Sequence, residues 1–251
     1  MVGGRVGSAI RGLDTGGSYA GDMSDAVDPD RHRPHGPALE RHTDYGAEHL
    51  LEFELADDPI DQFTRWLVEA DERGVYEPNA MVLGTIDPDG TPSARTVLLR
   101  GVDGRGFTFY TDHGSRKGRA LHANPAATLV FPWYVLHRQV IVTGRARPVP
   151  EAESDAYWAG RPRGSRIAGA ASEQSHPIAS REALDARFAA MEERVADADD
   201  VPRPERWGGF RVEPQRIEFW QGRTSRRHDR LVFSRTGGGE GEGWRVERLQ
   251  P

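Results

Sequence analysis

The chain has 251 residues, with 39 acids against 33 bases and a formal charge of -6, so its overall balance argues against a nucleic-acid or membrane-surface binder and any anion site must be local. It contains no cysteine, which excludes a disulfide framework, a thiolate nucleophile, an iron–sulfur cluster and a cysteine zinc site. No stretch is long and apolar enough for a signal peptide or a bilayer span, and a cytoplasmic protein with no membrane partner is expected.

Residues 1–50 are rich in Gly, Asp, Pro and His and carry no helical or strand period, which predicts a mobile tail followed by a single domain over 51–251. Within the tail, Met23-Ser24-Asp25 reads as a start site, and the residues before it are expected to be dispensable. Order is expected to begin at Asp58-Pro59, an N-cap acid followed by an N1 proline. There Ile60, Phe63, Leu67 and Ala70 recur at helical spacing up to a stop at Gly74.

Short β-type runs follow at Ala80 to Ile86, Ser93 to Val102 and Phe107 to Thr111. They are separated by Asp87-Pro88-Asp89-Gly90 and by Asp103-Gly104, which predicts a three-stranded antiparallel meander. Ser115 caps a short helix ending at Asn124-Pro125, and two more strands are expected at Ala127 to Phe131 and Arg138 to Arg147. Helices are predicted over Pro150 to Ala159 and Ser180 to Ala198. The last third reads as strands at Phe210 to Val212, Arg216 to Gln221, Arg230 to Ser234 and Trp244 to Leu249, with Gly237 to Gly243 a flexible hairpin loop. Because strands follow strands, the fold class is α+β, mainly antiparallel β, a closed barrel flanked by helices.

Several chemistries are set aside because their spacings do not occur: the dinucleotide Gly-x-Gly-x-x-Gly, the Walker loop, His-Glu-x-x-His and Gly-x-Ser-x-Gly. Only His32 and His35 have metal-like spacing, in a proline-flanked stretch that reads as solvated, and no metal is expected. Three basic clusters remain. Gly114-Ser115-Arg116-Lys117 opens a helix after Phe109-Tyr110-Thr111 and reads either as a phosphate cradle or as a solvated helix start. Arg161-Pro162-Arg163-Gly164-Ser165-Arg166 reads as a basic turn, solvated or gripping a second phosphate. Arg223 to Arg230 follows the aromatic strand Ile217-Glu218-Phe219-Trp220; the acidic total speaks against a nucleic-acid stripe there. Phe131 and Trp133 are expected to pack in the barrel core.

In order along the chain, these pieces resemble the pyridoxine/pyridoxamine 5'-phosphate oxidase family, over about Asp58 to Pro251. The resemblance is carried by Arg95-Thr96-Val97-Leu98-Leu99-Arg100, Phe109-Tyr110-Thr111, Ser115-Arg116-Lys117, Phe131-Pro132-Trp133, Arg138-Gln139-Val140, Arg161-Pro162-Arg163, Ser172-Glu173-Gln174-Ser175, Trp207-Gly208-Gly209-Phe210-Arg211 and Ile217-Glu218-Phe219-Trp220-Gln221-Gly222. It implies a split β-barrel homodimer with flavin mononucleotide (FMN) in sites built from both subunits, acting on a small phosphorylated pyridine with oxygen as acceptor. The flavin phosphate and ribityl chain would meet Arg95, Arg116, Lys117, Gln174 and Ser175, and its ring Val97, Leu98, Tyr110, Thr111, Gln139, Trp220 and Arg230. The substrate phosphate would meet Arg100, Tyr157, Arg161 and Ser165, with Arg226 and His228 over the pyridine as the catalytic pair.

The chain departs from the family pattern in three places. Arg100 stands where lysine is common, His42-Thr43-Asp44-Tyr45 replaces a more basic segment, and Ile167-Ala168-Gly169-Ala170 is less bulky than usual. A sister flavin oxidase of the phenazine-biosynthesis branch and a flavin- or haem-binding barrel without turnover are the competing readings.

Overall fold

In the computed structural model, which describes residues 43–237 and 243–251, two adjacent side chains set the first long element. Asp58 accepts the Ile60 N–H at 2.6 Å and Pro59 sits in the first turn, where its missing N–H costs nothing, so helix α1 runs Pro59–Glu72. Ile60, Phe63, Trp66 and Ala70 form its buried stripe, and Gly74, at φ 75°, follows its end.

The remaining elements are β1 (Ala80–Ile86), β2 (Pro92–Leu98), β3 (Gly101–Asp103), β4 (Gly106–Asp112), α2 (Arg116–Ala123), β5 (Ala126–Trp133), β6 (Arg138–Pro148), α3 (Glu151–Ala159), α4 (Arg163–Ala171), α5 (Arg181–Arg194), β7 (Trp207–Gln221), β8 (Asp229–Arg235) and β9 (Trp244–Leu249). All nine strands belong to one antiparallel sheet in the order β2-β1-β5-β6-β7-β4-β3, with β8 also on β7 and β9 on β8. The α+β, mainly antiparallel class is therefore as expected.

Closure is where expectation and structure part. β2 and β3 end the path and do not pair, so the sheet is a curled half-barrel rather than a closed one. The run from Ser93 to Val102 breaks at Leu99-Arg100: the Leu99 N–H goes to Asn79 O and the Arg100 N–H to Thr108 O. The chain crosses the seam there and re-enters as β3 on β4, so β4 pairs with β3 and β7 and the expected three-stranded meander does not form.

The last strands show why β7 reads as two pieces. It is one strand of 15 residues, interrupted in its pairing with β6 by a register shift opposite Thr143 and Gly144, where Pro214 stands. A proline in a run signals a break, yet a bulge accommodates it. Along one edge, the first half of β7 pairs with β4 and the second half with β8.

The main core lies inside the curl. Phe63 meets Phe107 and Phe131 edge-on with centroids 4.9 and 4.8 Å away, and Trp66 meets Phe219 at 5.3 Å. Helix α1 thus packs on β4, β5 and β7 together, each buried ring contributing about 1.5–3 kcal/mol. Phe131 and Trp133 are buried as expected. A smaller cluster of Trp158, Ile167, Ala171, Met191, Val195, Val201 and Trp207 fastens α3, α4 and α5 to the start of β7.

Two sequence expectations need correction beyond the sheet. Arg161 to Arg166, read as a basic turn, is the start of helix α4, Arg163–Ala171: Pro162 occupies its N-cap and Ile167 and Ala171 are its buried face. The stretch Asp44 to Leu50, read as part of a mobile tail, packs on the domain. Leu50 is buried and its N–H is held by Asp229 at 3.1 Å. Met23, His32, His35 and His42 lie outside the described residues, as do 238–242 of the glycine loop, which β8 and β9 flank as a hairpin with Arg235 opposite Trp244. Among the described residues no helix is long and apolar enough to cross a membrane.

Candidate active site

A groove of about 650 Å³ opens beside β2 and β4, and the N-termini of α2 and α4 meet there. Ser115 caps α2, its Oγ accepting the Gly118 N–H at 3.2 Å, which sets Lys117 into the groove and Arg116 out of it. Lys117 is buried and donates to Thr111 Oγ1 at 3.2 Å and to Gln174 Oε1 at 2.7 Å. Arg95, on β2, donates to Thr85 Oγ1 and Ser93 Oγ, each at 2.7 Å.

All these partners are neutral; among the described residues neither cation has a carboxylate within ion-pair distance. Burial, reinforced by the charge of Arg95, brings Lys117 down to about 8, and burial likewise lowers Arg95. Two desolvated cations without a counter-ion are chemically suited to an anion. Arg116 pairs with Asp87 at 2.5 Å and holds that carboxyl below its ordinary range.

At the other end of the groove, Arg161 reaches back from the start of α4. Its guanidinium lies 4.6 Å from the Trp207 ring and 5.0 Å from the Trp158 ring, and its buried Nη1 has no hydrogen-bond partner among the described residues. Burial lowers its pKa, and the Arg100 charge contributes. Ser165 and Arg100 line the same end, and no side chain caps α4. A desolvated guanidinium beside an uncapped helix start is chemically suited to a second anion. Between the two positions, Tyr110 stacks on Tyr157 at 3.9 Å with planes 5° apart, and Val97 and Leu98 complete the wall.

The remaining candidates gather elsewhere. Trp220 and His228 lie 4.7 Å apart between ring centroids, and Tyr45 meets both edge-on, at 5.9 and 5.4 Å. Tyr45, Gln139 and Trp220 line a cavity of about 150 Å³ that shares no residue with the larger groove. His228 Nδ1 accepts the Arg223 N–H at 3.1 Å, which leaves Nε2 to carry the proton, and burial lowers the ring's pKa. Ser225 and Arg226 are successive non-glycine residues at φ 56° and 58°, a conformation that the surrounding loop must hold. Arg230, expected at a flavin edge, donates to buried Glu218 at 2.7 Å.

Comparison with known proteins adds the family. Residues 67–195 match the model described as pyridoxamine 5'-phosphate oxidase, and residues 207–251 match the pyridoxine 5'-phosphate oxidase C-terminal dimerisation region. A pyridoxine/pyridoxamine 5'-phosphate oxidase of Rubrobacter xylanophilus is 58% identical over 77% of this chain and 87% of its own length. One from Salinispora arenicola is 53% identical over 86% and 96%. The chain belongs to the pyridoxine/pyridoxamine 5'-phosphate oxidase family. Membership carries the enzyme class with it: the protein is an oxidase. Among solved structures, PhzG from Burkholderia lata in complex with tetrahydrophenazine-1-carboxylic acid is 35% identical, with a TM-score of 0.75 over 82% of this chain and 100% of its own. An FMN-binding protein from Nostoc punctiforme, at 16% identity and TM-score 0.63 over 78% and 100%, shares the split-barrel fold.

Within this oxidase, one chain collects Arg95, Val97, Leu98, Arg100, Tyr110, Thr111, Lys117, Tyr157, Arg161, Ser165 and Gln174 around the groove. Ser175 follows Gln174 in a left-handed turn at φ 70°. The same chain keeps Gln139, Trp220 and His228 apart from the groove, in the second cluster. Sequence reasoning named Tyr45 only as part of the divergent His42-Thr43-Asp44-Tyr45 segment and gave no site role to a side chain that here packs against Trp220 and His228. It also missed the Trp207 platform, whose signal is the following glycine pair: a Cβ on Gly209 would lie 2.8 Å from the Tyr110 ring.

Proposed function

We propose that this oxidase converts pyridoxamine 5'-phosphate and pyridoxine 5'-phosphate to pyridoxal 5'-phosphate with oxygen as acceptor, giving hydrogen peroxide, and ammonia from the amine. The observation carrying this reading is the pair of carboxylate-free cation groups in one groove, Arg95 with Lys117 and Arg161 with Arg100. A phosphorylated cofactor beside a phosphorylated substrate needs two anion positions. The relatives' names support the same substrates.

FMN fits the first position: Lys117 and Arg95 would hold its phosphate, with Thr111 and Gln174 along the ribityl chain. When bound, it supplies a two-electron acceptor for the hydride equivalent leaving the substrate's C4′ and passes the electrons to oxygen. The chain's own residues bind and orient. Arg161, with Ser165 and Arg100, would take the substrate phosphate, and Tyr157 would support it from the side. His228, neutral at pH 7 with its proton on Nε2, and Arg226 would set the pyridine ring and steady the charge that develops as the C–H bond breaks.

For these groups to meet, the site must be shared in a homodimer, with the Trp220–His228 cluster of one subunit facing the groove of the other. The match of residues 207–251 to a dimerisation region supports this, since that segment carries Trp220, Arg226, His228 and Arg230. The test is oxygen consumption by flavin-loaded protein with both vitamers, phosphorylated and not, and with a dihydrophenazine carboxylate. Turnover confined to the phosphorylated vitamers, with stoichiometric peroxide, is expected. Equal turnover of the unphosphorylated forms, or preference for the phenazine, would overturn the reading.

A further inference from the structure

Asp112 ends β4, and its buried carboxylate accepts the Arg206 Nε–H at 2.8 Å and the Gly114 N–H at 2.7 Å. The other arm of Arg206 crosses to α4, where Nη2 donates to Ala170 O at 3.1 Å and Ser172 O at 2.7 Å. These are carbonyls of the helix end, which lack intrahelical partners and which a nearby arginine can satisfy. The backbone closes the same joint, with the His113 N–H donating to Arg206 O at 2.6 Å.

The segment that leaves this joint is exposed, and it has little else to hold it. Its backbone bonds are Ser172 N–H to Ala168 O and His176 N–H to Glu173 O, Arg187 pairs with Glu173 at 3.2 Å, and Ser175 lies at φ 70°. From it, Gln174 returns to the groove, where Oε1 accepts from both Lys117 Nζ and Thr111 Oγ1.

We infer that Arg206 is a positioning residue for the cofactor end of the groove: by tying Ala170 and Ser172 to Asp112, it holds Gln174 against Lys117. Arg206 does not line the groove, and its effect passes through Gln174, which does. The inference rests on the flavin reading for its consequence, but the joint itself does not depend on flavin.

Two measurements decide it. Flavin mononucleotide titrations of the wild type, R206A, Q174A and the double variant form a cycle. R206A should bind the flavin roughly tenfold more weakly, the scale of one lost charge-assisted hydrogen bond. In the Q174A background the same substitution should cost nothing further, and R206K, which keeps one cation without the fork, should fall between. A purely structural arginine would lower melting temperature and weaken flavin equally in both backgrounds, which overturns the inference. A crystal structure of R206A apoprotein, or of R206K should R206A not fold, should show Gln174 withdrawn from Lys117; a retained contact overturns it. Wild-type protein that takes up no flavin sinks the proposed function, while the crystal structure still decides the joint.

Discussion

Lys117 Nζ donates to Gln174 Oε1 at 2.7 Å, joining the first turn of α2 to a segment 57 residues away over a groove that holds no carboxylate for it. The ammonium is therefore kept charged at the expense of its own solvation. Replacing it with an apolar side chain of similar volume should separate stability from binding. K117M apoprotein should melt no lower than wild type, because an unpaired buried charge is removed and Thr111 can still donate to Gln174. Its flavin affinity should fall about 10- to 100-fold, the worth of one charged hydrogen bond to phosphate. Thermal melts and fluorescence titration of the two proteins check both signs.

The same lysine sets a pH limb. Its folded-state pKa is lowered from 10.5 to about 8, so the unfolded chain binds the proton more tightly than the apoprotein does. Stability of the apoprotein relative to K117M should accordingly rise as pH increases from 8 to 10.5. Binding has the opposite sign, because phosphate selects the charged form. Flavin affinity should be flat below about 8 and then fall by up to tenfold per pH unit, with proton uptake on binding, and K117M should lack this limb. Calorimetry in buffers of different ionisation enthalpy measures the uptake.

The parts of this site that were legible share one property: each announces itself within a few residues. Asp58-Pro59 signals α1 and Ser115 signals α2 because capping is local, while the basic pair that follows Ser115 divides, Lys117 lining the groove and Arg116 pairing with Asp87. What stayed hidden is held by partners distant in sequence. Arg206 looks like one arginine in a proline-rich loop; its partner Asp112 is 94 residues away, and nothing near either residue points to the other. Helix α4 was obscured by Gly164 and Gly169, poor helix formers in a helix that is held by the packing of Ile167 and Ala171 in the Trp158–Trp207 cluster rather than by propensity. Pro214 hid the continuity of β7 for the opposite reason, a strong local signal overruled by a bulge.

Arg161 yields a prediction about substrate rather than cofactor. Its guanidinium is already placed by two indole faces, each cation–π contact worth about 0.5–2 kcal/mol, and its side chain lines the groove without a carboxylate partner among the described residues. R161A should raise KM for the phosphorylated vitamer about 10- to 100-fold through lost charge-assisted hydrogen bonds and leave flavin affinity unchanged. R161K should recover only part, since a point charge cannot stack flat on Trp207 while presenting a planar fork. Steady-state kinetics with a parallel flavin titration separate the two positions; equal losses in both would mean that they are not distinct.

Gly209 tests the aromatic wall. A Cβ there would lie 2.7 Å from a Val149 methyl and 2.8 and 3.0 Å from the Tyr110 ring. Both neighbours are side chains, so the fold can yield, but only by pushing Tyr110 from its stack on Tyr157. G209A should lose about 1–3 kcal/mol of stability, the usual cost of overpacking. Because Tyr110 lines the groove beside Thr111, flavin affinity should drop with it. Gly164 supplies the contrast, since a Cβ at that helical position meets nothing within 4 Å. G164A should therefore raise stability by up to about 1 kcal/mol through helix propensity. Opposite shifts in melting temperature for two glycine-to-alanine changes are the expected result; a shift of the same sign in both would mean that Tyr110 is not held by the glycine beneath it.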